Sequence, residues 1–492
     1  MKKTFKRICG ISCLIFSVVF SVTATEAYGQ TAEDEIMAMR EELELARRQI
    51  KIMEERLGTL EAKVRESAAS PREDKVDADK VREMSEQIQD LTKSITKGFE
   101  YHGYLRSGAG VNGRGGDQAA FQAPGADSKY RLGNETDTYG ELGFVKNFTE
   151  DPSEPFFKVD VLLAFSTEEN FNWDPDNDRF SVRESYAEAG NFLWAPEMKF
   201  WAGQRFYRRH DIHIIDYYFL NMSGYGGGVE DINMGDFSKL AVAYFAGSND
   251  TYDFPRIGRI SKNTMDIRFY DIDVPLGKGM IWLAPSWLRG GSYLDTNGLT
   301  QSYPGGSGVA AGFLHTTDNV LGYDGYNKFC VQYGYGSSYD FDPNVEAPDE
   351  HLGDRKRFRV TESGVVQTGD HLSMMYVLLY ERDDNGQGTD AVKHWFSGGL
   401  RPIYNFTDNV ALAFEAGADH VNSQPDDLNG TLYKFTIAPE LRFNNQFMGR
   451  PVLRAFVTYA FWGDDFKGST GGSAYSDDTS GLTAGVQMEA WW

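Results

Sequence analysis

The run Leu482-Thr483-Ala484-Gly485-Val486-Gln487-Met488-Glu489-Ala490-Trp491-Trp492 decides the architecture. In an extended chain, Leu482, Ala484, Val486, Met488, Ala490 and Trp492 share one face, and Thr483, Gly485, Gln487, Glu489 and Trp491 share the other. The same alternation recurs upstream. Tyr433, Phe435, Ile437, Pro439 and Leu441 alternate with Lys434, Thr436, Ala438, Glu440 and Arg442. Leu453, Ala455, Val457, Tyr459 and Phe461 alternate with Arg454, Phe456, Thr458 and Ala460, and Phe157, Val159, Val161, Leu163 and Phe165 with Lys158, Asp160, Leu162 and Ala164. Gly-, Asp- and Ser-rich stretches such as Gly468 to Gly481 separate the strands as surface loops.

Two architectures accommodate such strands. A soluble sandwich turns the apolar faces inward and uses ~100 residues per domain. A membrane barrel turns them outward and lines its lumen with the polar set. Segments of about ten residues suit a tilted membrane strand. The alternation runs to the final residue, and aromatics sit near the ends of the apolar faces, as interfacial girdles do. Lipid offers backbone groups no partner, so such a sheet must close. From residue 99 onward the chain has room for on the order of 16 to 20 strands.

Composition agrees. The 492 residues include 52 Gly, 16 Pro and 3 Cys and carry a formal charge of −23. An acidic chain lacks the basic face that nucleic acid requires. Aromatics at 14% oppose wholesale disorder. The absence of any internal apolar run of about 18 residues excludes a helical membrane bundle.

Residues 1–29 read as a secretory signal peptide, rather than a membrane anchor. Lys2, Lys3, Lys6 and Arg7 precede the apolar stretch Ile8 to Val22, and cleavage is expected near Ala27 or Gly29. Cys9 and Cys13 depart with it, leaving Cys330 and no internal disulfide. Residues 30–98 read as an α-helical coiled coil. Ile36, Leu43, Ile50, Leu57 and Val64 occupy a positions, with Met39, Ala46, Met53 and Leu60 at d. Pro71 interrupts, a second seam runs from Val81 to Ile95, and Gly98 ends it. A seam this narrow requires partner chains, whereas a helix packed on a domain would show a broader apolar face. The a positions do not choose between two and three strands.

Several motifs then resemble the maltoporin family of sugar-specific outer-membrane porins. They are His102-Gly103-Tyr104-Leu105-Arg106-Ser107-Gly108; Ser128 through Glu135; Trp201 through Asp211; and Gln487 through Trp492. The resemblance covers 99–492. It implies an all-β transmembrane barrel of 18 antiparallel strands, a homotrimer embedded in outer-membrane lipid of a Gram-negative cell, and facilitated diffusion of an oligosaccharide substrate. The preceding coiled coil looks like the extra segment of sucrose-type members, which favours three helices. The family's periplasmic barrel termini place it in the periplasm, where it would pin the trimer and could contact the cell wall.

By this resemblance, an aromatic line of Tyr104, Tyr139, Tyr326, Phe447 and Trp491 would stack on sugar faces, with Trp173 reaching over from a neighbouring subunit. Phe447 competes with Met448 for its place before Arg450-Pro451. The polar track would be Arg106, Arg131, Glu141, Arg183, Arg209, Asp211, Asp216 and Tyr218, with Tyr218 in the constriction. The chemistry is sound: C–H faces stack on rings, hydroxyls exchange bonds with charged groups, and weak sites in series allow entry and exit. Parity supports it independently, because Tyr104 shares a face with Arg106, and Trp491 with Glu489 and Gln487. No cofactor or metal is expected; His210 and His213 lie inside a family motif without a metal role.

Three departures stand out. A first-loop disulfide common in the family is replaced by Ala120 and Thr136, so that loop is held otherwise or is more mobile. Asn221 replaces a usual Asp. The coiled coil points to the sucrose type, while Arg209 and Tyr218 point to maltodextrin; the pore residues touch the sugar and weigh more. The alternatives are a general diffusion porin, or a channel specific for sucrose or another sugar. A trimeric adhesin contributes only a few strands per chain, unlike this sequence. No Gly-x-Ser-x-Gly elbow or His-Glu-x-x-His pair suggests an enzyme.

Overall fold

The computed structural model describes residues 98–492 except 150, 152, 168–178, 255–257, 295–298, 346–350 and 389–390. The signal peptide, the coiled-coil seam and Trp173 fall outside the described residues.

Among the described residues twenty strands follow one another: β1 (Phe99–Asn112), β2 (Tyr139–Asn147), β3 (Phe156–Ser166), β4 (Arg179–Phe192), β5 (Ala195–Ile212), β6 (Tyr217–Asn233), β7 (Lys239–Phe254), β8 (Gly258–Val274), β9 (Gly277–Leu288), β10 (Gly291–Leu294), β11 (Thr300–Tyr303), β12 (Gly306–Val320), β13 (Tyr323–Gly336), β14 (Lys356–Gln367), β15 (Leu372–Asp384), β16 (Val392–Asn405), β17 (Val410–Ser423), β18 (Leu428–Arg442), β19 (Val452–Trp462) and β20 (Ser480–Trp491). Eighteen form one antiparallel sheet, and β10 and β11 form a separate hairpin. The sheet closes where β1 pairs with β20. Among the described residues the only helical segments are short 3-10 turns.

The faces are those of a membrane barrel. Phe435, Ile437, Val457 and Val486 are exposed, whereas Lys434, Thr436, Glu440, Arg454 and Glu489 are buried. A sandwich would reverse this arrangement. The barrel strands run from 9 to 18 residues, and all but β2 exceed the expected ten, while β10 and β11 have 4 residues each. Pro439, Pro402 and Pro285 all lie within strands, where a missing N–H weakens a ladder. In each case the pairing lapses on one neighbour: Ile437 and Glu440 pair with β19 but the residues between them do not, and β16 and β8–β9 show the same gap.

The lumen is filled from within. The loop 113–138 turns inward and buries Phe121, Tyr130, Leu132 and Asn134. Gly399 and Gly417 are register partners, and a Cβ at either would lie 2.3 Å from the Tyr130 ring, so the glycine pair forms the slot this ring occupies. Lys434 Nζ and Thr436 Oγ1 donate to the Leu132 carbonyl at 2.7 and 3.1 Å. Asn134 clasps this loop. Phe121 N donates to Asn134 Oδ1 at 2.6 Å, and Asn134 Nδ2 donates to the carbonyls of Phe121 and Tyr130 at 2.8 and 2.9 Å. Of the two expectations for this loop, anchorage by other contacts is the one observed.

A second inward segment joins β5 to β6. Ile212, Ile214 and Ile215 are buried pegs, and Asp216 closes the turn in the left-handed region at φ 52°. The segment 337–345 is a third: Phe341 meets Trp282 edge-on at 6.0 Å, and Lys262 Nζ donates to both oxygens of Asp340 at 2.9 Å.

Candidate functional site

The closing seam builds the site. Tyr104 on β1 is the register partner of Trp491 on β20 and of Glu141 on β2, while Arg106 is the partner of Glu489 and of Tyr139. Period-two geometry therefore sends all six side chains into the lumen. The rings form a continuous line. Tyr139 and Tyr104 lie 6.1 Å apart, and Tyr104 and Trp491 lie 6.4 Å apart and within 16° of parallel.

Charged groups flank this line. Arg106 pairs with Glu135 at 3.1 Å, Asp137 at 2.9 Å and Asp216 at 3.4 Å, and its guanidinium lies 5.3 Å from the Tyr139 ring centre. The Tyr139 hydroxyl donates to Glu141 at 2.6 Å. Arg131 donates to the Tyr104 hydroxyl at 2.7 Å, and that hydroxyl donates to Glu489 at 3.1 Å. Between Arg106, Arg131, Glu135, Asp137, Tyr139 and Asp216 lies a cavity of about 440 Å³. A polar wall beside an aromatic one suits a solute with hydroxyls at its edge and C–H groups on its face.

Glu489 anchors the wall behind the rings. It is 2% exposed and pairs with Arg131 at 3.1 Å, Arg450 at 2.8 Å and Arg454 at 3.2 Å. The Arg450 guanidinium lies 4.2 Å from the Trp491 ring centre, a cation–π contact. Burial pulls Arg450, which lies between strands, down to about 10, while Glu489 opposes that shift; the side chain is cationic at neutral pH.

The inward β5–β6 segment carries a second group. Arg209 lies between two rings, 3.5 Å from the centre of Phe206 and 4.3 Å from that of Tyr218. Arg183 approaches Phe206 at 5.2 Å, and Asp211 pairs in register with Tyr218. Asp216, through Arg106, joins this group to the aromatic line.

The expected residues thus divide. Tyr104, Tyr139, Trp491, Arg106, Arg131, Glu141 and Asp216 come together, and Arg183, Arg209, Asp211 and Tyr218 form the adjoining group. Tyr326 on β13 lies within electrostatic reach of Asp211 in the adjoining group, with Lys328 5.1 Å from its ring centre. Phe447 requires correction. It is 2% exposed and packs into the barrel interior, so it offers no face to a passing solute; half-buried Met448 stands beside it. Turn residues 443–451 follow no period-two rule, so parity could not place this ring. Glu135, Asp137, Phe206, His213, Arg450 and Glu489 were missed as site residues. Glu489 had a signal, since it shares a face with Trp491; the others come from inward loops, or from pairings that alternation does not encode.

Residues 99–492 match the family described as LamB porin. Solved structures similar to this chain include a BenF-like porin from Pseudomonas fluorescens Pf-5, 10% identical, covering 80% of this chain and 99% of that one, with a TM-score of 0.43. OccAB2 of Acinetobacter baumannii is 10% identical, with coverage of 80% and 98% and a TM-score of 0.42. OpdQ of Pseudomonas aeruginosa is 10% identical, with coverage of 80% and 99% and a TM-score of 0.41.

Proposed function

The chain belongs to the LamB porin family, and on that premise we propose that its barrel is a sugar-selective channel passing oligosaccharides of the maltodextrin type. As a porin it is an outer-membrane channel of a Gram-negative cell, not an enzyme. The observation that carries the sugar reading is the unbroken line Tyr139, Tyr104 and Trp491 with ion pairs along its edge. A sugar slides with its C–H face on the rings while its hydroxyls trade partners with Arg106, Arg131, Glu141 and Asp216. Each contact is weak and resembles the next, so the solute is held without being trapped. Arg209 and Tyr218, with Arg183 and Asp211, narrow the path beside it.

The wider organisation belongs to the same proposal. Residues 1–29 are a cleaved signal peptide, 30–98 a periplasmic coiled coil that pins a homotrimer and contacts the cell wall, and 99–492 the porin domain. Liposomes containing the purified protein test the channel reading. Uptake of maltotriose that saturates with concentration supports it; uptake that depends only on solute size makes the protein a general diffusion porin.

A further inference from the structure

We infer that His213 is a positioning residue for the aromatic line, spacing Arg131 from Arg450 and so fixing both Tyr104 and Trp491. The inference rests on the sugar reading above.

His213 opens the turn between β5 and β6 and is 8% exposed. Its Nδ1 lies 3.2 Å from Arg131 Nη1, and its Nε2 lies 3.2 Å from Arg450 Nη2. Each arginine holds a different ring: Arg131 donates to the Tyr104 hydroxyl, and Arg450 lies over the face of Trp491. The imidazole also meets Trp491 edge-on, at 5.8 Å and 89°. One side chain therefore touches the supports of two neighbouring rings and one ring directly.

The chemistry of imidazole suits this place. A third cation between two guanidiniums would be repelled, and burial together with the Arg131 charge holds His213 well below the ordinary imidazole range. The neutral ring accepts a hydrogen bond from one of the two guanidiniums; its other nitrogen bears a hydrogen and makes only a packing contact with the second, because a guanidinium offers no acceptor. It separates two cations without adding charge, while Glu489 neutralises them from the wall. The backbone adds a second tie, since Arg131 N donates to the Ile214 carbonyl at 3.1 Å. The turn that shapes the constriction is thereby locked to the rings beside it.

Phe at this position keeps the edge contact and removes both nitrogens; Gln returns a polar group on the Arg450 side. The test is a planar-bilayer titration of the full chain with maltotriose and maltohexaose, reading the half-blocking concentration. The variants are His213→Phe, His213→Gln, Trp491→Ala and the His213→Phe/Trp491→Ala double. His213→Phe is expected to raise the half-blocking concentration roughly fivefold, with His213→Gln recovering most of the loss. In the Trp491→Ala background the Phe substitution should have a clearly smaller effect, because a residue acting through Trp491 has less left to position. Equal fold-changes in both backgrounds, or unchanged block in His213→Phe, would overturn the inference. So would failure of both single His213 variants to form channels, which would make His213 a folding residue. A wild-type channel indifferent to both sugars would overturn the sugar reading itself, and this inference with it.

Discussion

Tyr104 and Trp491 are register partners across the seam where the first strand meets the last, with ring centres 6.4 Å apart. The site therefore exists only once the barrel has closed, and neither terminal strand carries it alone. Tyr104→Ala and Trp491→Ala should each weaken sugar binding by about 1 kcal/mol, the scale of an aromatic contact. The double variant should lose less than the sum, since the rings support one another. Titrating the block of ionic current in all three variants checks this.

Glu489→Gln should destabilise the barrel by about 3 to 5 kcal/mol, because it leaves buried arginines facing one another without their shared anion. Arg131, Arg450 and Arg454 all lie within 3.2 Å of this carboxylate. The measurement is thermal unfolding in detergent, followed by circular dichroism.

Asn134→Ala should free the first inward loop. The substitution removes a clasp on the Phe121 N–H and carbonyl, both in the buried interior, at a cost of about 2 kcal/mol. Limited proteolysis should then nick the loop 113–138 faster than in wild type.

Asp342, in the loop between β13 and β14, gives a pH dependence. Burial and the neighbouring Asp340 push its carboxyl up to about 6, against the pull of Asn344 and Lys262. The folded chain therefore binds this proton more tightly than the unfolded chain. The resulting stabilisation is complete below the ordinary value of 3.8 and is lost as pH rises through about 6. Asp342→Asn should be stabilising relative to wild type at neutral pH, with the difference vanishing toward pH ~4. Melting temperatures across that range decide it.

The strands were legible because lipid and lumen impose a two-residue period. Phe435 and Lys434 are adjacent in sequence and opposite in exposure, as alternation requires. The lumenal placement of Tyr104, Arg106 and Trp491 follows from the same rule. Phe447 was not legible, since its turn has no fixed period, and its fate depends on how 443–451 packs inside the barrel. Nor was the first loop. Asn134 holds it with three hydrogen bonds, and a single Asn carries no such signal in sequence. The Gly399–Gly417 slot depends on two strands meeting in register, which local pattern cannot supply.

The most direct measurement of the central claim is the ionic current through the wild-type channel in a planar bilayer, during titration with maltose, maltotriose, maltohexaose and sucrose. Saturable block that tightens along the maltose series is the predicted result, because a longer chain covers more of the line Tyr139, Tyr104 and Trp491. Current unaffected by every one of these sugars would contradict the account.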